Sequence, residues 1–226
     1  MGVSEVMYSY GLCVLSIILI ILISCLKLKV AKNDLRNWCI LILVCALISN
    51  ICTMFQILNV SNYEKAIMYE ALSCIGQAIL SVCQLFAILS FIKPKIEFTK
   101  KYLILFFIPI LIIIAMFTNN YHHLVFEEFS NSFTECRYGI LFYIYIIYIS
   151  TMYAISLFNL FKYVFKESQK YMNKILFGTI FILIPYLIQF LVITHIINAK
   201  VYMTMVLQSI TTISVIYILF KYHLLI

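Results

Sequence analysis

Seven long hydrophobic runs, joined by short polar links, take up most of this chain. A helix needs about 20 apolar residues to cross the hydrocarbon core of a bilayer, and a modest tilt accommodates runs of slightly different length. Because backbone N–H and C=O groups in lipid must be paired within their own segment, each run is predicted to be a transmembrane helix. The predicted helices cover residues 7–27, 38–60, 67–92, 102–118, 138–161, 174–196 and 201–221. The predicted fold class is an all-α integral membrane protein, with residues 1–226 forming a single seven-helix domain.

The composition leaves little room for anything besides this bundle. Hydrophobic residues make up 65% of the 226 residues and charged residues 11%, against about 45–50% and about 25% in soluble domains. A soluble catalytic domain does not fit between the runs, so we expect the chain not to be an enzyme and to carry no cofactor. Asp34 is the sole aspartate, which excludes a two-aspartate membrane protease. A Cys136 nucleophile served by His122 or His123 remains an alternative, although no residue pattern marks it.

Positive charges are distributed unevenly between the two sides of the predicted bundle. Thirteen of the 16 Lys and Arg residues fall in alternate links, and three fall on the opposite side. Lys and Arg are retained on the cytoplasmic side, so the N-terminus is predicted outside and the C-terminus in the cytoplasm. The excess charge then meets anionic lipid at the inner surface, and no nucleic-acid partner is expected. The thirteen are Lys27, Lys29, Lys32, Arg36, Lys93, Lys95, Lys100, Lys101, Lys162, Lys166, Lys170, Lys174 and Lys221.

Polar or small side chains recur at steps of three and four along the third predicted helix, which places them on one helical face. A polar stripe exposed to hydrocarbon is costly, so this face is predicted to turn into the bundle. There it either hydrogen-bonds neighbouring helices or lines a cavity. The stripe consists of Glu70, Ser73, Cys74, Gln77, Ser81 and Gln84.

Polar residues on the last two predicted helices favour a pocket in the outer half of the same interior. Proline removes a backbone donor and loosens or kinks a helix. Pro185 in the sixth predicted helix is therefore a candidate hinge, and Pro109 has the same effect in the fourth. The candidate ligand-binding residues are Glu70, Gln77, His195 and Gln208.

A pair of histidines lies in the longest external link, with acidic residues and a cysteine downstream. Adjacent side chains on a regular element point apart, and the link has neither the His-x-x-x-His nor the Cys-x-x-Cys spacing that favours zinc. We therefore predict no metal site at His122 and His123. In place of a metal site, the residues favour a short structured loop in which Asn119 and the two histidines cap and orient helix ends.

The string Thr118-Asn-Asn-Tyr-His-His-Leu-Val-Phe126 resembles a motif of the seven-helix N-terminal sensor region of bacterial histidine kinases, a region that also precedes some diguanylate cyclases. The resemblance continues through Gly139, the aromatic run 142–148, Pro185 and the closing residues 220–226. The chain departs from the family at Phe126, where Trp is expected, and at 201–204, where Asp-x-Thr is expected. The motif residues are Thr118, Asn119, His122, His123, Leu124 and Phe126.

This resemblance implies a sensor in the bacterial plasma membrane that detects an extracellular or membrane-borne signal. It further implies that the signal is relayed to a cytoplasmic output module, such as a histidine kinase, placed after the seventh helix, and that the sensor is a homodimer. The residues leave two alternatives open, a small membrane transporter and a standalone membrane partner subunit. Transporters often carry internal repeats, and the halves of this chain show no convincing repeat.

Overall fold

The computed structural model describes residues 3–59, 62–93, 100–128, 137–167, 184, 188, 191 and 202–221. This part of the chain is helical except for one short two-stranded ribbon. Four of its helices are long and apolar enough to cross a membrane, and two shorter apolar segments cover Tyr102–Phe117 and Met205–Tyr217. The elements are α1 (Val3–Lys29), α2 (Asp34–Leu58), α3 (Tyr63–Ile92), a 3₁₀ helix (Lys100–Phe106), α4 (Phe107–Phe117), α5 (Asn119–His122), β1 (Phe126–Glu128), β2 (Arg137–Tyr138), α6 (Ile140–Glu167) and α7 (Tyr202–Lys221).

Helices cover six of the seven predicted runs. The run 174–196 lies outside the described residues except for three helical positions, Ile184, Ile188 and Leu191. The all-helical architecture and the long apolar helices support a multi-pass membrane protein. The exact number of spans stays a prediction.

Side-chain caps define where two of the long helices begin. The Asn33 side chain accepts a hydrogen bond from the backbone N–H of Arg36 at 2.7 Å, and Asp34 occupies the first turn of α2. The Asn62 side chain accepts in the same way from Lys65 N–H at 3.1 Å. Such caps satisfy N–H groups that have no partner inside the helix, and an acid in the first turn complements the helix dipole. The helices therefore start several residues before their apolar runs.

The central helix of the described bundle is α3, which packs against α2, α4 and α6. The last helix, α7, packs against α1 and α2. One close approach joins α2 to α3, because a Cβ at Gly76 would collide with the Ser49 hydroxyl and lie 3.0 Å from the Cys45 carbonyl oxygen. The absence of a side chain at Gly76 lets the two backbones meet at the depth where the polar stripe lies.

Large apolar side chains on α1 and α4 point away from the protein. Met7 and Tyr10 on α1 are each 70% exposed, and Ile110 and Ile114 on α4 are 52% and 54% exposed. Lipid tails are the environment in which such surface is stable, since water would order around it. These exposed apolar faces therefore support a helical membrane protein.

Candidate functional site

The polar stripe of α3 is buried, as the sequence predicts. All six of its side chains are less than a tenth exposed, with Gln77 at 0% and Glu70 at 2%. A buried polar group without a partner costs free energy, so most groups of the stripe are expected to be bonded inside the protein. The partners divide the stripe into two groups. The outer group lies around Glu70, at the end of α3 that is predicted to face outward, and the deeper group lies around Gln77, two turns further along the helix.

The outer group, called here the Glu70 cluster, consists of Gln56, Glu70 and Cys74. The Cys74 thiol lies 3.7 Å from Glu70 Oε1 in donating geometry, and the Gln56 side chain on α2 hydrogen-bonds the same carboxyl group. On the other side of α3, the Tyr145 hydroxyl of α6 donates to the Cys74 carbonyl at 2.9 Å. The carboxyl of Glu70 is thereby tied to α2, and its helix is tied to α6.

Hydroxyl groups connect α2 and α3 next to this cluster. The Ser49 hydroxyl donates to the Ser73 carbonyl at 3.1 Å, and the hydroxyls of Thr53 and Ser73 lie 3.1 Å apart. Serine and threonine hydroxyls between closely packed helices are a usual source of cohesion in membrane proteins. These contacts and the approach at Gly76 make α2 and α3 a firmly joined pair.

The deeper group, called here the α2–α3–α7 junction, consists of Asn50, Gln77, Met205, Ser209 and Thr212. The Gln77 Nε2 donates to the Met205 sulfur at 3.3 Å, and the Ser209 hydroxyl donates to Asn50 Oδ1 at 2.8 Å. Met205, Ser209 and Thr212 are spaced four and three residues apart, so they share one face of α7. Gln208 lies next to Ser209 and is 5% exposed. The last helix therefore meets both α2 and α3 through polar contacts.

The link between α4 and α6, which is the predicted external link, folds around the Asn119 carboxamide. Asn119 Oδ1 accepts from the backbone N–H groups of Val125 and Phe126 at 2.9 and 3.0 Å, and its Nδ2 donates to the Phe126 carbonyl at 3.0 Å. The His122 ring accepts from Leu124 N–H at 2.9 Å. His123 ends α5 in the left-handed conformation with φ 54°, which histidine adopts more readily than most residues.

The link then passes directly into α6. Gly139 N–H donates to the Val125 carbonyl at 2.9 Å, and any side chain at Gly139 would collide with the Leu124 carbonyl. Phe126 packs against Tyr138 and Phe142, with ring centroids 6.0 and 5.7 Å apart. The motif residues thus build a compact turn that fixes how α6 begins.

Both ring nitrogens of His122 lie within hydrogen-bonding distance of groups in this link. His122 Nε2 lies 3.1 Å from the Thr118 hydroxyl, and its other ring nitrogen is bonded to Leu124 N–H. Within the residues that the structure describes, no three His, Cys, Asp or Glu side chains are grouped so as to hold a metal ion. Cys136 lies outside those residues, so its relation to the histidines stays a prediction.

Three of the four candidate ligand residues lie in the described interior. Glu70 belongs to the outer cluster, Gln77 belongs to the junction, and Gln208 lies on the face of α7 beside it. His195 and the candidate hinge Pro185 lie outside the described residues. Their roles remain predictions, as do the ligand roles of the other three.

Sequence reasoning missed the contribution of α2 to this interior. Asn50 and Gln56 are 2% and 3% exposed, and both lie against polar groups of other helices. A signal was present, because Ser49, Thr53 and Gln56 are spaced four and three residues apart in the second run.

A comparison with protein-family models matches residues 11–226 to a family described as the N-terminal 7TM region of histidine kinase. A search of curated proteins found no match. The family match covers nearly the whole chain, including the external link and every helix of the buried polar interior.

Proposed function

The chain belongs to the family of N-terminal seven-transmembrane regions of histidine kinases, a family of membrane sensor domains, and we propose that it receives an extracellular or membrane-borne signal and relays it to a cytoplasmic output module such as a histidine kinase. The observation that carries this proposal is the family match over residues 11–226. The buried polar contacts of α7 with α2 and α3 add a route by which an event in the bundle reaches the last helix.

The proposed arrangement has seven spans, with the N-terminus outside and the C-terminus in the cytoplasm of a bacterial cell. The distribution of thirteen basic residues on one side and three on the other supports this orientation. It also assigns the basic links to anionic lipid at the inner surface rather than to nucleic acid. Under this arrangement α7 runs inward, toward the output module.

Signal reception is proposed for the outer half of the interior, at Glu70, Gln77, Gln208 and His195. A ligand shifts a conformational equilibrium only through a difference in affinity between two arrangements. Since α2 and α3 are firmly joined, α7 is the element whose position a ligand would bias. Pro185, in the preceding predicted span, is the proposed hinge. We further propose that two copies of the chain act together as a homodimer in the bilayer.

The experiment that tests this proposal identifies what the native polypeptide contains. An antiserum against residues 119–137 would detect the protein in membranes of its source cell, and incubation with ATP would report phosphohistidine. A species much larger than the 26.4 kDa of this chain that takes up phosphate supports the sensor. A species near 26.4 kDa, without phosphate, would instead favour the transporter or the partner subunit.

A further inference from the structure

Three buried polar atoms at the α2–α3–α7 junction have no hydrogen-bond partner within the part of the chain that the structure describes. They are Asn50 Nδ2, Gln77 Oε1 and Thr212 Oγ1. Their side chains are 2%, 0% and 2% exposed. Buried amides and hydroxyls are almost always paired, so three unpaired atoms in one interface require an explanation.

The two carboxamides are each held by one end only. Gln77 Nε2 is bonded to Met205 and Asn50 Oδ1 is bonded to Ser209, which leaves the opposite atom of each amide unpaired. Turning the Asn50 amide over would exchange a free donor for a free acceptor. Turning the Gln77 amide over would place its Oε1 against the Met205 sulfur, which cannot donate, so neither change lowers the number of unpaired atoms. The contacts that already exist therefore cannot satisfy these groups.

The α7 residues of the junction follow one face of that helix. The partners of the two amides, Met205 and Ser209, are one turn apart, and Thr212 follows Ser209 by one further turn, which gives a span of about 10 Å at 1.5 Å per residue. The junction residues carry no formal charge, and Glu70 precedes Gln77 by two turns of α3. The chemistry of the junction consequently suits a small neutral molecule rather than an ion.

We propose that the α2–α3–α7 junction binds a small neutral molecule bearing a carboxamide, whose C=O accepts from Asn50 Nδ2 and whose N–H donates to Gln77 Oε1. A carboxamide offers an acceptor and a donor two bonds apart, which complements the unpaired donor of Asn50 and the unpaired acceptor of Gln77. Thr212 donates to or accepts from the same group. Bound in this way, the molecule connects α7 to α2 and α3, which is the contact the proposed sensor function requires.

Water offers the same donor and acceptor chemistry and is the competing occupant. It bridges buried polar groups in many proteins. The two occupants can be distinguished by titration. Occupancy by an added amide rises with its concentration, whereas the concentration of water stays constant. A titration with an added amide therefore separates them.

The test is a thermal-unfolding titration of the whole chain in lipid nanodiscs with acetamide, the smallest molecule of this class. Acetone, which has the acceptor but lacks the donor, is the matched probe. Variants Thr212→Val and Asn50→Leu remove junction groups, and Ser156→Ala on α6 is the control, since the Ser156 hydroxyl donates only to its own helix at Met152. General solvent effects act on all four proteins alike.

A ligand that binds only the folded state raises the unfolding midpoint once its concentration exceeds its Kd, and the stabilisation then grows with the logarithm of that concentration. We expect acetamide to do so for the wild type and Ser156→Ala, with acetone weaker, and each junction variant to lose affinity on the order of tenfold. The absence of this logarithmic shift with acetamide, or equal shifts in wild type and Thr212→Val, would overturn the proposal. Thr212→Val conserves shape and keeps the test interpretable if Asn50→Leu fails to fold.

Binding is measured on this chain without any kinase readout, although its biological meaning rests on the proposed sensor function. Saturable binding in a protein without phosphorylation would preserve the site and reject the sensor. Phosphorylation without saturable acetamide binding would preserve the sensor and reject this ligand class. A water-edited amide spectrum with strong signals from Asn50 and Gln77, and no acetamide shift, would identify water as the occupant and contradict the proposal.

Discussion

The Asn119 carboxamide makes three hydrogen bonds within the turn from α5 into β1, and it is 2% exposed. Replacement by alanine leaves two N–H groups and one carbonyl of the turn without that partner. Each unpaired buried group costs about 1–3 kcal/mol, and water entering the loosened turn recovers part of this. We expect Asn119→Ala to destabilise the turn by about 2–4 kcal/mol, measured as faster trypsin cleavage of the external link and a lower unfolding midpoint.

The neighbouring residue provides a matched control for this prediction. Asn120 is exposed, so Asn120→Ala deletes the same type of side chain at a position that faces solvent and not the turn. Its cleavage rate is expected to equal that of the wild type. Equal rates for both variants would show that the Asn119 bonds do not hold the link.

A backbone group in the fourth hydrophobic segment depends on one tyrosine. Pro109 has no N–H to donate to the carbonyl four residues earlier, that of Leu105, and the Tyr148 hydroxyl of α6 donates to this carbonyl at 2.6 Å. We expect Tyr148→Phe to lower stability by about 1–3 kcal/mol. In a Pro109→Ala background the loss is expected to be smaller, because the substitution restores a backbone N–H that can bond the Leu105 carbonyl. The unfolding midpoints of the wild type, Tyr148→Phe, Pro109→Ala and the double variant give the coupling free energy between Tyr148 and Pro109.

Tyr143→Phe is the control for the tyrosine prediction. Tyr143 lies on the same helix, is half-buried, and has no hydroxyl bond within the described residues. Its replacement is expected to change the midpoint little. If Tyr148→Phe lowers the midpoint no more than Tyr143→Phe does, the bond from the Tyr148 hydroxyl to the Leu105 carbonyl does not contribute to stability.

Residue patterns could identify the α3 stripe but not its partners. The steps of three and four from Glu70 to Gln84 report the face of one helix, and that face is buried. Contacts such as Ser209 with Asn50 join residues 159 positions apart in the sequence. No local pattern states which two faces meet, so the division into an outer cluster and a junction required the structure.

At the scale of elements, hydrophobicity located the helices better than it located their ends. The second helix begins at Asp34 and not near 38, since Asn33 caps a polar first turn. The sixth helix continues to Glu167, beyond the predicted end at 161, because backbone bonding continues after the apolar run ends. The fourth run starts as a 3₁₀ helix ahead of Pro109, which hydrophobicity alone does not indicate.

The contact between α2 and α3 yields a prediction about two glycines. A Cβ at Gly76 would collide with Ser49, whereas nothing lies within 4 Å of a Cβ at Gly11 on α1. We expect Gly76→Ala to separate the helices and to destabilise the bundle by about 1–3 kcal/mol, as overpacking does. Gly11→Ala is expected to stabilise by about 0.5–1 kcal/mol, since alanine suits a helix interior better.

Unfolding midpoints in detergent provide the measurement for both glycines. Adding Ser49→Ala to Gly76→Ala removes the hydroxyl but leaves the Cys45 carbonyl, so partial recovery is expected. A Gly76→Ala protein as stable as Gly11→Ala would mean that α2 and α3 can separate without loss, and α2 would then be as free to move as α7.

For the whole molecule, the sequence constrains orientation more strongly than any single contact does. The Glu128 and Arg137 ion pair of the external ribbon, with N–O distance 3.5 Å, joins side chains that are 68% and 70% exposed, and such pairs contribute little. The thirteen basic residues that the predicted spans place on one side would act together during insertion, independently of the final packing. The side on which each link emerges is therefore a property of the entire chain.

This orientation is tested by labelling from one side of the membrane. Tyr121 in the external link is 89% exposed, and Lys32 between α1 and α2 is also exposed. We expect Tyr121→Cys to react with a membrane-impermeant maleimide on intact cells, and Lys32→Cys to react only after permeabilisation, each measured above the wild-type background. Labelling of Lys32→Cys on intact cells would show that the bundle has the opposite orientation. The basic links would then face outward, α7 would end outside, and no cytoplasmic relay through α7 could operate.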